Sequence, residues 1–159
     1  MPQPFTVEDL YLHRKITSLH CVAAIARALC SVKSVDRDND GYRTHLWQFP
    51  LDGSGGAPLR CSDGSDSSPR WSPQGDRLAF LSGRSGGATQ VFVAPADGSE
   101  AEQLGSLSQS VMNLRWMPDG SGVVVTSAVT VDPDLHGRRS SRPPPVRKAG
   151  APEVAWRLP

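Results

Sequence analysis

The chain has 159 residues, 38% of them hydrophobic, with 17 Lys and Arg against 16 Asp and Glu for a net charge of +1. That length suits one ordinary domain, and the near-neutral balance supplies no global field to draw in nucleic acid or an anionic membrane, so neither is an expected partner. Fifteen glycines and fourteen prolines beside only 6% aromatics argue against a helical bundle and for short strands joined by tight turns.

From the N-terminus, Thr6 is a helix cap followed by the acids Glu8 and Asp9, with apolar residues at helical spacing, which predicts a short helix over 6–16 inside an N-terminal segment 1–19. Early acids in place of a basic stretch and an apolar core are not the pattern of a secretory signal. The most apolar run, His20 to Val35, is broken by Arg27 and Lys33 and is too short to span a bilayer; the expected compartment is the cytoplasm. Cys21, Cys30 and Cys61 are odd in number and lack C-x-x-C spacing, so they are read as small buried thiols, with no disulfide framework or zinc site.

An internal repeat organises the middle of the chain. Arg70-Trp71-Ser72-Pro73-Gln74-Gly75 returns as Arg115-Trp116-Met117-Pro118-Asp119-Gly120, and 116 minus 71 is 45. Trp47 to Gly53 returns as Phe92 to Gly98 with the same offset, since 97 minus 52 is also 45. In each copy proline sets the first central φ of a β-turn and glycine takes the left-handed position. Strand-like runs flank the turns at Arg70–Ser72, Leu78–Ser82, Gln90–Ala94 and Ala101–Leu104. Four short antiparallel strands per repeat are the anatomy of a propeller blade.

The expected fold is therefore all-β: an incomplete β-propeller of about two to three four-stranded antiparallel blades over 20–130, with a short N-terminal helix. The blades fall at about 20–60, 67–104 and 110–127. The first is degenerate, with Val22-Ala23-Ala24-Ile25 standing where a turn is required. Trp71, Pro73, Gly75, Trp116, Pro118 and Gly120 are structural residues, the tryptophans packing between blades. Residues 131–152, rich in proline, serine and arginine, are expected to form a loop or disordered segment, and 153–159 to start a further strand. Propellers close with typically four to eight blades, so this chain is expected not to close a ring alone, and its open blade edges invite self-association.

The run Ser68-Pro69-Arg70-Trp71-Ser72-Pro73-Gln74-Gly75-Asp76-Arg77-Leu78-Ala79-Phe80-Leu81-Ser82 resembles the blade-opening pattern of the propeller domain in prolyl-oligopeptidase-type serine peptidases. The acylaminoacyl-peptidase and dipeptidyl-peptidase branch is the most similar, and TolB-type propeller repeats share the motif. Tyr42 to Trp47 and Thr6 to Leu10 match more weakly, and the resemblance runs from Phe5 to Ser127 and on to Pro152–Pro159. It implies a lid that admits peptides to an α/β-hydrolase domain carrying a Ser, Asp, His triad. The chain departs from the pattern at Gln74, where an acid is usual, at the first blade's turn, and in having no hydrolase domain.

Chemical motifs are few. Gly83-Arg84-Ser85-Gly86-Gly87 matches G-x-S-x-G in form, but strands of a repeat flank it and only His136 lies downstream, so it is read as a hairpin loop. Asp36, Asp38 and Asp40 match the first half of a calcium loop. Trp47 stands where the bidentate glutamate belongs, so a solvated hairpin tip is the favoured reading. Arg138, Arg139, Arg142, Arg147 and Lys148 surround Pro143–Pro145 without interleaved aromatics and are read as a solvated loop. No role follows for His13, His20 or His45. No catalytic residue and no cofactor is expected. The chain is read as a non-catalytic lid fragment, with a peptide or a hydrolase-domain chain as its partner. The alternatives are one component of a split peptidase and a stand-alone binding scaffold.

Overall fold

A computed structural model describes residues 4–22, 24–128 and 153–157. Helix α1 (Val7–Tyr11) is followed by β1 (Arg14–Cys21), β2 (Arg27–Asp36), β3 (Gly41–Pro50) and β4 (Ala57–Pro58), which pair in that order as the first sheet. The second sheet is β5 (Asp66–Trp71), β6 (Arg77–Ser82), β7 (Gln90–Pro95) and β8 (Glu102–Gln103). The third contains β9 (Val111–Trp116), β10 (Gly122–Ser127) and β11 (Glu153–Arg157), with β10 in the centre. Every strand pair within the sheets is antiparallel. The three sheets stack face to face as successive blades, and their first strands lie side by side, β1 against β5 and β5 against β9. This is an incomplete β-propeller.

The helix predicted over 6–16 is shorter than its pattern suggests. The Thr6 N–H and hydroxyl both donate to the Asp9 carboxylate, at 2.7 and 2.9 Å, which secures one turn and little more. From Arg14 onward the chain pairs with β2, from Arg14 against Ser34 to Cys21 against Ala28. A ladder to a neighbouring strand satisfies backbone groups that a short, exposed helix leaves to water. The first blade therefore begins with residues that the sequence had placed partly in a helical segment.

The facing sides of successive blades carry apolar clusters. Leu29 and Leu46 of the first blade meet Trp71, Leu78, Phe80, Phe92 and Ala94 of the second in one buried cluster. Ala79, Leu81 and Val91, on the opposite face of the second blade, meet Val111, Leu114, Val123 and Val125 of the third. Period-two alternation divides each strand between these two interfaces. Trp71 is 2% exposed; a ring of that size contributes roughly 1.5 to 3 kcal/mol on burial.

The Pro-x-Gly turns also join blades. In each, the glycine N–H closes the turn, Gly75 onto Ser72 and Gly120 onto Met117, at 3.0 and 2.9 Å. Gly75 has φ +76° and Gly120 has φ +73°, in the left-handed region that glycine enters without penalty. Each glycine is also covered by the preceding blade. A Cβ on Gly75 would lie 2.7 Å from Ile25, and one on Gly120 would lie 2.3 Å from Gln74. The irregular first turn, where the Ile25 N–H reaches the Val22 carbonyl at 3.3 Å, thus supplies a side chain that caps the next blade. Gln74 does the same and donates to the Asp119 carbonyl at 3.1 Å, a contact that accounts for an amide in place of the usual acid.

Gly75→Ala is expected to cost more than the roughly 1–2 kcal/mol of a left-handed alanine, because Ile25 must also retreat. Gly86→Ala, at φ +68° with nothing within 4 Å, should cost only the conformational term. Urea unfolding of the two variants measures the difference; equal losses would show that the turn makes no contact between blades.

Candidate functional site

The residue before each repeated tryptophan, or before its counterpart in the first blade, occupies the same register. His20 stands opposite Leu29, Arg70 opposite Ala79 and Arg115 opposite Val124. All three lie on first strands and so gather where the blades converge. There a single peptide unit is held from both sides. The Trp71 N–H donates to His20 Nδ1 of the first blade at 3.1 Å. The Arg70 carbonyl accepts from the Trp116 indole N–H of the third blade at 3.0 Å. His20 was given no role by sequence reasoning; the structure makes it an acceptor between blades.

Accepting at Nδ1 requires a neutral imidazole with its proton on Nε2. Burial pushes the His20 pKa below the usual histidine range, and the positive charges of Arg70 and Arg115 push it further. Burial and Arg115 likewise lower the pKa of Arg70. The cluster is rich in donors, and the Arg70 Nε is buried without a partner.

A second polar centre lies between the first two blades. Asp66, fully buried, accepts from the Arg84 Nη2 at 2.8 Å, the Ser62 hydroxyl at 2.8 Å and the Asp63 N–H at 3.0 Å. Arg84 also donates through Nε to the Ser82 hydroxyl at 2.9 Å and lies over the rings of Phe80 and Phe92. Ser62 Oγ accepts the Leu46 N–H at 2.9 Å and is 3.4 Å from His45 Nδ1.

Histidine, serine and carboxylate are therefore neighbours, but in the wrong order for acyl transfer. In a triad the imidazole lies between hydroxyl and carboxylate, taking the proton from one while oriented by the other. Here the serine is in the middle, its proton committed to Asp66 and its oxygen to a backbone N–H. The arrangement braces two blades.

The motifs singled out by sequence sit elsewhere. Ser85 lies in the exposed loop between β6 and β7, donating to Gln103 at 2.8 Å; the charged work of that G-x-S-x-G loop belongs to Arg84. Asp36 pairs with Arg43 and accepts from Asn39 at 2.7 Å, while Asp38 and Asp40 occupy the β2–β3 turn. No group of three or more His, Cys, Asp or Glu that could hold a metal occurs among the described residues. The basic cluster from Arg138 to Lys148, with His136, lies outside those residues. The three cysteines are free thiols; Cys30 and Cys61 are buried, whereas Cys21, expected to be buried, is exposed. Burial raises the pKa of Cys30 and pushes that of Cys61 up to about 11, so neither is an activated nucleophile. No described helix is long and apolar enough to cross a membrane. An open groove of about 450 Å³ runs along the outer edge of the second blade between Asp76 and Leu104.

Over 141 residues, 89% of its length, the chain is 29% identical to the uncharacterized peptidase YuxL of Bacillus subtilis, of which it spans 22%. Its fold superimposes on acylaminoacyl peptidase of Pyrococcus horikoshii with a TM-score of 0.62 at 16% identity, covering 79% of this chain and 19% of that one. The β-propeller domain of the Trilobed protease from Pyrococcus furiosus, described as having an open velcro topology, gives a TM-score of 0.59 at 12% identity over 71% of this chain and 33% of that one. No family model matches the chain. The resemblance carried by the blade-opening motif thus returns in sequence, with a peptidase, and in fold, with peptidase propellers.

Two changes test these two polar centres. A histidine with a depressed folded pKa contributes stability above its unfolded value of about 6.5 and loses it as pH falls, because only the unfolded chain then takes up the proton. The urea midpoint should fall between pH 7.5 and pH 5.5, and His20→Gln should flatten that fall; an unchanged pH slope would remove His20 from the clamp. Arg84→Ala removes the counter-ion of the buried Asp66 carboxylate and should cost about 3–5 kcal/mol. A loss below 1 kcal/mol in Arg84→Ala would contradict the bracing role.

Proposed function

We propose that this chain is part of the propeller lid of a prolyl-oligopeptidase-like serine peptidase and has no chemistry of its own. In that reading it helps to control which peptides reach a hydrolase domain on the remainder of a longer protein or on another chain. Its partners are that domain, the peptides passing it, and further blades.

One observation carries this reading. Cys21, Ala28 and Phe49 of the first blade share a register row, as do Trp71, Leu78 and Ala94 of the second. In the second blade this row, with Phe80 and Phe92, is buried against the blade before it. In the first blade the equivalent face holds Ala28, Cys30 and Val32 beneath Trp47 and Phe49, flanked by Ile16 and Leu19 at 58% and 60% exposure. Among the described residues, this cluster contains side chains of the first blade alone. An apolar face built to the pattern of a blade interface calls for one more sheet. The resemblance to peptidase propellers supplies the gating role, and the engaged hydroxyls of Ser62 and Ser85 support the absence of chemistry here.

The purified chain is expected not to cleave acylated aminoacyl anilides and not to react with a fluorophosphonate probe. Labelling that disappears in Ser85→Ala or Ser62→Ala would overturn the reading. In solution the chain should associate through the first blade, and Ile16→Glu with Leu19→Lys should lower its mass by light scattering. A wild-type chain that is monomeric at all concentrations would count against a missing neighbour on that face.

A further inference from the structure

We propose that His20, Arg70 and Arg115 form an oxyanion-binding site where the first strands of the three blades meet, one that takes a carboxylate or a phosphate group. The three side chains come from equivalent registers on β1, β5 and β9, so the fold itself brings them to one end of the stack. Their positions are fixed by the peptide clamp, with His20 held by the Trp71 N–H at 3.1 Å and the Arg70 main chain by the Trp116 indole at 3.0 Å. With Nδ1 occupied as an acceptor, His20 offers its Nε2–H as a donor.

The charges of this cluster are unbalanced. Ion pairs among the described residues belong to Arg43, Arg77 and Arg84; Arg70 and Arg115 have none. Arg70 Nη1 donates to the Pro69 carbonyl at 2.8 Å, while its Nε is buried and bonded to nothing. Arg115 lies close enough to lower the pKa of both His20 and Arg70. Placing two guanidinium groups and an imidazole donor together without an acid disfavours the empty state, and a planar oxyanion supplies the acceptors that guanidinium forks match. The site is distinct from the lid reading: it concerns what binds at the convergence of the blades, whatever the remainder of the protein does.

The test follows the Trp116 indole and Trp71 amide signals in ¹H–¹⁵N spectra of the full chain at pH 7.5. Sodium phosphate and N-acetylglycine are titrated separately, with chloride holding ionic strength constant. Saturable shifts with either probe are expected, and the probe that gives them identifies phosphate or carboxylate as the preferred group. Arg115→Gln, an exposed position, should fold as the parent and bind about tenfold more weakly; Arg60→Gln, exposed on the linker between blades, should bind unchanged. Shifts that fail to saturate with both probes, or Arg115→Gln binding like the parent, would overturn the proposal.

Discussion

The stack depends on one peptide unit, that between Arg70 and Trp71. A strand at the border of a sheet directs alternate N–H groups where no strand can take them. Here the Trp71 N–H is taken by an imidazole from the blade before, and the Arg70 carbonyl by an indole from the blade after. Apolar burial holds the sheets together but has no direction and would tolerate sliding. Directed bonds at the convergence of the blades fix their relative height, and the glycine turns at the same end, covered by Ile25 and Gln74, reinforce the setting. Sequence repetition makes this possible: equivalent registers in successive blades bring residues 46 to 51 positions apart into contact.

Much of this architecture could be read from the residues. The two Pro-x-Gly turns located the second and third blades, because a turn that needs a fixed φ followed by a positive one leaves a mark in the sequence. The first blade was harder. Its opening turn contains neither proline nor glycine after Val22, so β1 carried no punctuation and its residues passed for the end of a helix. Only the pairing with β2 reveals it. The clamp was not legible at all, since the acceptor His20 lies 51 positions from its donor and acquires a partner only once the blades are stacked. The G-x-S-x-G loop drew attention to Ser85, while the residue that matters to the fold is its neighbour Arg84, paired with an acid 18 positions earlier.

The buried Asp66 carboxylate and the groups bonded to it join elements of the first two blades. Asp66 and Arg84 tie the second blade to the linker that leads into it, and Ser62 connects that pair to the third strand of the first blade. Such networks cost desolvation and are sustained only when every member is satisfied. That accounts for hydroxyl, imidazole and carboxylate groups lying close together without forming a reactive sequence of proton acceptors. The chain is similar in sequence to part of a peptidase and in fold to peptidase propellers.

Native-state hydrogen exchange at the Trp71 amide is the most direct probe of the clamp. Bonded between blades, this proton should exchange as slowly as the ladder amides of Ala79 and Leu81 in the centre of the same sheet, and should quicken selectively when His20 is replaced by alanine. Exchange at the rate of an open strand border in the parent protein would mean that the blades are held by apolar contact alone.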